Sequence, residues 1–94
     1  MRLTWSALAV ADRMAIFDFI EAENPSAAVR IDERIEAVVK QLLEFPKTGR
    51  PGRVAGTREL VITGTPYIAA YVEFPDRIRI LRLLHGAQVW PRTL

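Results

Sequence analysis

At 94 residues, half of them apolar and none of them cysteine, the chain is sized for one domain with a modest core and excludes both a disulfide framework and thiolate chemistry. A single histidine gives no ligand set for a transition metal, and no stretch approaches the roughly 20 apolar residues of a membrane span; the expectation is a soluble cytoplasmic domain, not on a membrane and without metal or cofactor. The net charge of +2 hides an asymmetry, because residues 1–45 hold five cations against eight carboxylates and residues 46–94 hold eight against three.

Arg2 to Trp5 alternate polar and apolar residues, which predicts a short strand. Ser6 can cap the helix that follows, which runs to about Ala22. The apolar start of the chain breaks at Asp12-Arg13, unlike a signal peptide. The helix seam is Ala9, Ile16, Phe17 and Ile20. Arg13 interrupts it, where a long stem can lie on the core while its head pairs with an acid of the next helix. Asn24-Pro25 caps and opens that second helix. Its seam, Ala28, Ile31, Ile35, Val38, Leu42 and Phe45, advances by alternating steps of three and four. The short link predicts an antiparallel helical hairpin, closed by Phe45-Pro46.

Residues 46–57 hold three glycines, two prolines and three cations, a basic loop. Runs at Arg58 to Ile62, Tyr67 to Phe74 and Arg77 to His85 then change the period to two, separated by turn residues. The prediction is one α+β domain over residues 1–94, ordered β-α-α-β-β-β, with the helical hairpin on one face of a small, mainly antiparallel sheet. The first strand fits either edge of the meander. Strand 67–74 presents Tyr67, Ala69 and Tyr71 on one face and Ile68, Ala70, Val72 and Phe74 on the other. Strand 78–85 presents Ile78, Ile80 and Leu84 against Leu81 and Leu83. A sheet with one wet face alternates more cleanly, so the pattern favours cover of the second face from outside the chain; the internal alternative is the tail Gly86 to Leu94 folding back.

No nucleophile triad, carboxylate pair or phosphate-binding glycine loop is present. His85, at the end of the last strand, can serve as general acid or base, or simply bond to backbone. The remaining candidates are cations: Lys47, Arg50 and Arg53 in the loop, Arg58, Arg79 and Arg82 on the strands. Such clusters suit phosphates and acidic proteins alike. Tyr67, Tyr71 and Trp90 can add stacking, although core packing is the commoner use of such tyrosines.

Several segments carry a family resemblance in order. They are Leu3-Thr4-Trp5-Ser6, the stretch from Asp12 through Asp18-Phe19-Ile20, Leu42 with Phe45-Pro46, and Gly49-Arg50-Pro51-Gly52. They continue with Gly56-Thr57-Arg58-Glu59-Leu60-Val61 and close with Ile78-Arg79-Ile80-Leu81-Arg82-Leu83-Leu84-His85-Gly86-Ala87. Together they resemble the RelE/ParE toxin superfamily over nearly the whole chain. The resemblance implies the same fold, a role as toxin of a type II toxin–antitoxin or plasmid-stabilization system, and a hetero-oligomer with an acidic, partly disordered antitoxin. It implies one of two activities. RelE-like members cut mRNA on the ribosome with basic strand residues and a C-terminal Arg, Tyr or His; here that set would be Arg58, Arg82 and His85. ParE-like members poison DNA gyrase. Glu59, Val61 and Ile68 stand where RelE-like cations belong, and Gly86-Ala87-Gln88 lacks one too, which suits phosphate cleavage poorly. Arg58-Glu59-Leu60 and Leu84-His85-Gly86 look closer to the ParE branch. The resemblance therefore favours a gyrase inhibitor without enzymatic activity. It assigns target or antitoxin binding to Arg50, Arg53, Arg58, Ile68, Tyr71, Arg79, Arg82, His85 and Trp90. A decayed member that only binds antitoxin is a third reading.

Overall fold

The computed structural model describes all 94 residues. Strand β1 (Arg2–Trp5) leads into helix α1 (Ala7–Glu21), and α2 (Pro25–Lys40) returns antiparallel to it before a 3-10 turn at Gln41–Leu43. Four strands follow: β2 (Arg50–Pro51), β3 (Arg58–Val61), β4 (Tyr67–Glu73) and β5 (Arg77–His85). They form one sheet in the order β1-β5-β4-β3-β2. All neighbours are antiparallel except β1 on β5, which are parallel. The α+β reading holds, and the open question of the first strand is answered: it pairs with the last, at the edge. The basic loop is less irregular than its glycines and prolines suggest, since Arg50–Pro51 pairs with Arg58 and Glu59 as a fifth strand.

The predicted caps form. Ser6 Oγ accepts from Ala9 N at 3.0 Å and Asn24 Oδ1 accepts from Ala27 N at 3.1 Å. Ser6 Oγ also donates to Leu81 O at 2.7 Å, tying the start of α1 to β5. The core lies between the hairpin and one sheet face. Ile35, Val39 and Leu42 from the helical side meet Leu60, Ile62, Tyr71, Ile78 and Ile80. One expected seam position leaves the core and one residue joins it. Phe45 is exposed, because the 3-10 turn winds with about 3.0 residues per turn and rotates the helical spacing off the core before Pro46. Val39 is fully buried in the cluster in addition to Val38.

The strand faces need a second correction. Ala70 pairs with Arg82 but Tyr71 pairs with Ile80, so β5 carries one extra residue at Leu81. A bulge of this kind shifts the alternation by one. Leu83, and not Leu84, therefore joins Ile78 and Ile80 in the helix-side core. On the opposite face Ile68, Ala70 and Leu84 are nonetheless buried. The chain covers them itself. A Cβ at Gly86 would sit 3.4 Å from Ile68 Cδ1, and the Arg53 guanidinium lies 3.8 Å over the Trp90 ring. The centre of the second face therefore needs no outside cover, contrary to the expectation from pattern; the tail and the basic loop fold back over it.

Candidate partner-binding surface

Most of the cations singled out in the sequence are engaged inside the molecule. Glu59, on the face away from the helices, is only 3% exposed. Arg50 Nη2 donates to its carboxylate at 3.0 Å, Arg53 N donates at 2.8 Å, and Arg53 Nε stands 3.3 Å away. Burial pushes the Glu59 pKa up, but the hydrogen bonds and charges of Arg53 and Arg50 outweigh it, and the net shift is downward. Arg58 donates to the carbonyls of Gly49 and Lys47. Lys47 pairs with Glu73 at 2.9 Å. Arg82 makes a two-point contact with Asp12 of α1 at 2.7 and 3.0 Å, and Asp12 also accepts from Leu83 N. Arg58 and Arg79 form no ion pair, and Arg79 alone among the six has neither an ion pair nor a side-chain hydrogen bond.

Two residues proposed for the surface are internal. Tyr71 is fully buried, its hydroxyl donating to Pro46 O at 2.7 Å and accepting from Gly49 N at 2.9 Å. It fastens the basic loop to the sheet. Gly49 is required there, because a Cβ would lie 2.6 Å from the tyrosine ring and hydroxyl. Ile68 is 8% exposed beneath Gly86. Trp90 is half-buried, with Nε1 enclosed and without an acceptor.

His85 is exposed beside Tyr67, the two rings edge-on at 5.7 Å. Together with Asp12, Arg82 and Gln88 they line a shallow pocket of about 170 Å³. Ala87 N donates to His85 Nδ1 at 3.0 Å, which places the proton of the neutral imidazole on Nε2. The outward nitrogen is then a donor, and the nearby guanidinium is already neutralised by Asp12. This pocket can hold a hydrogen-bond acceptor; it lacks a free cation for a phosphorane.

The surface that sequence reasoning missed is on α1. Its two central charges turn inward: Asp12 to Arg82, and Arg13 to Asp32 at 2.7 and 3.0 Å with Glu36 beyond. Ile16 and Ile20 pack against the core, but four other large apolar residues turn outward: Leu8, Val10, Met14 and Phe19 are 45 to 77% exposed. Trp5, Val10, Met14, Phe17, Arg13 and Asp32 line a groove of about 410 Å³ along this helix. The signal in the sequence was adjacent charges inside an otherwise apolar helix, with matching Asp32 and Glu36 on the next.

The fold has counterparts. The family model described as "ParE toxin of type II toxin-antitoxin system, parDE" matches residues 3–90. The chain belongs to the ParE toxin family. Its relatives include protein Y4kP of Sinorhizobium fredii, 41% identical over 93 residues that cover 99% of this chain and 96% of that protein. Toxin RelE2 of Caulobacter vibrioides is 34% identical over 88 residues, covering 94% and 98%. A solved structure of the chromosomal ParDE system from P. aeruginosa superposes with a TM-score of 0.83 at 32% identity, over 90% of this chain and 95% of the other. As a ParE-family toxin the chain has an antitoxin as its implied partner. The outward apolar residues of α1 are exposed area beyond the site residues nominated from the sequence.

Proposed function

We propose that this ParE-family toxin arrests growth in the cytoplasm by acting on DNA gyrase and is neutralised by a cognate antitoxin. The observation that carries the choice of target is the internal use of the sheet cations. Arg82 is held by Asp12, and Arg50 and Arg53 are held by Glu59. Cleavage of a phosphodiester needs preorganised positive charge free to meet the developing oxyanions. Arg58 keeps its charge but spends donors on loop carbonyls. His85 offers a proton on Nε2 and no base at Nδ1. The set Arg58, Arg82 and His85 thus supports protein binding better than RNA cleavage. The second reading, ribosome-dependent mRNA cleavage, is favoured by the name of the Caulobacter relative RelE2.

Inducing the chain alone and following both plasmid supercoiling and message integrity separates the readings. The expected result is growth arrest, loss of negative supercoiling and intact translated mRNA. Purified gyrase that keeps full supercoiling activity at large toxin excess overturns the proposal. Cuts in translated mRNA that vanish with His85→Ala support the second reading.

A further inference from the structure

The C-terminal tail covers the outer sheet face with little to hold it there. Gly86 N donates to Pro66 O at 2.8 Å, and Gly86 packs on Ile68. Gln88 N donates to His85 O at 3.1 Å, and from Val89 to Leu94 the chain makes no hydrogen bond at all. Past the turn, the tail is fixed by Trp90 under the Arg53 guanidinium. Even that contact encloses the Trp90 Nε1 donor without an acceptor, which costs stability in the closed position. The turn from His85 to Gln88 is therefore the hydrogen-bonded anchor on which the rest of the tail depends.

Two bonds of that turn are made by side chains. His85 N donates to Gln88 Oε1 at 2.8 Å, and Ala87 N donates to His85 Nδ1 at 3.0 Å. The second bond exists only with a neutral imidazole, because both ring nitrogens of an imidazolium carry protons and neither accepts. Protonation sets two N–H donors against each other across that contact. The titratable and charged groups that face the ring are Tyr67 from β4, Asp12 from α1 and Arg82 from β5. Asp12 and Arg82 already pair with each other at 2.7 Å. The ring itself is exposed, so it is free to turn toward water once the bond to Ala87 is lost.

We propose that His85 is a proton-operated latch on the C-terminal tail, closed while the imidazole is neutral and open once it is protonated. The accepting form is the unprotonated one, so the tail is held at higher pH. It is released as pH falls through the range in which histidine side chains take up a proton, between about pH 8 and pH 5. Carboxylates, phenols and guanidinium groups change charge outside that window, which leaves His85 as the one group in contact with the turn that switches inside it. Opening lifts the chain beyond Gly86 and uncovers Leu84 and Ile68, now 3% and 8% exposed. An apolar sheet face that the tail hides at neutral pH thereby becomes available on acidification. The device is built into the fold and is independent of which target the toxin takes.

The test is hydrogen exchange on the isotope-labelled full chain, read by NMR as protection relative to an unstructured chain, at about pH 7.5 and about pH 5.5. The expected result is a loss of about fivefold or more, the scale of one turn hydrogen bond, at the Ala87 amide and the Trp90 indole N–H. The buried Val39 and Ile80 amides should keep their protection at both pH values. His85→Asn retains an acceptor, since its Oδ1 takes the place of Nδ1, and binds no proton in this range; it should stay protected at both. His85→Ala has no acceptor and should be unprotected at both. Equal protection of Ala87 and Trp90 at the two pH values in the unaltered chain overturns the proposal. So does the same loss in His85→Asn, which would place the switch elsewhere. A loss that extends to Val39 and Ile80 overturns it too, because acid would then be loosening the whole domain and not the tail. The comparison of the two pH values in the unaltered chain depends on no variant folding.

Discussion

Glu59 shows how one residue sets the character of a surface. It is the acid in a run of cations, and burying it draws Arg50 and Arg53 inward. Glu59→Gln removes the charge and keeps one accepting oxygen, so that an NH2 group opposes one of the two donors, Arg53 N or the Arg50 guanidinium, a loss of about 1–3 kcal/mol, toward the lower end because both arginines are about half exposed. Urea unfolding of Glu59→Gln measures it. The pH dependence follows from the lowered pKa. The folded carboxyl holds its proton less tightly than the unfolded one, so its stabilisation is complete above the unfolded value near 4.3 and is lost as pH falls through the lower folded value. The midpoint of thermal unfolding should drop on acidification below about pH 4, and drop less steeply in Glu59→Gln. Tyr71→Phe is a second residue-scale case. It leaves the buried Gly49 N–H without a partner, at a cost of about 1–3 kcal/mol. Calorimetry showing an unchanged midpoint would remove the tyrosine as anchor of the loop.

Among the elements, α1 departs furthest from what its sequence suggests. A surface helix ordinarily turns apolar residues inward and charges outward; here Asp12 and Arg13 face the body and Met14 and Phe19 face out. Phe19→Ser should change stability by no more than about 0.5 kcal/mol, since the ring is 77% exposed. Ile35→Ala, on the same hairpin but fully buried, should cost about 2–5 kcal/mol. If Phe19→Ser unfolds the chain, the outward apolar face is structural and no docking surface. Met14→Glu should leave the unfolding midpoint in place and weaken antitoxin binding, a split that calorimetry and titration can resolve. The β5 bulge belongs to this scale too. Strand length and composition were legible, but the extra residue at Leu81 was not, because period-two reasoning has no means of placing a skipped step.

In the whole molecule, two long-range links hold the hairpin to the sheet: Asp12 to Arg82, 70 residues apart, and Ser6 to Leu81, 75 apart. With a radius of gyration of 12.8 Å the chain is as compact as a single cooperative unit of this length. Trp5 lies in the groove beside α1 and Trp90 lies on the opposite sheet face. Unfolding followed by tryptophan fluorescence and by far-UV circular dichroism should therefore coincide; separated transitions would show that the tail folds independently of the core. Asp12→Ala strands the Leu83 N–H and the Arg82 guanidinium, and should cost about 1–3 kcal/mol in the same assay.

The sequence by itself determined the element order, both helix caps, the change of period from helix to strand and the family, because each is written in neighbouring residues. Local spacing also sufficed to nominate the cations. What only the tertiary structure decided was their state: an arginine reads the same in the chain whether it is free, as Arg79 is, or matched by a carboxylate 70 residues away, as Arg82 is. The same holds for cover. Pattern alone showed that the second face was too apolar for water, but whether the tail or a partner excludes that water depends on how the chain returns, and here Gly86 and Trp90 return over Ile68 and Arg53.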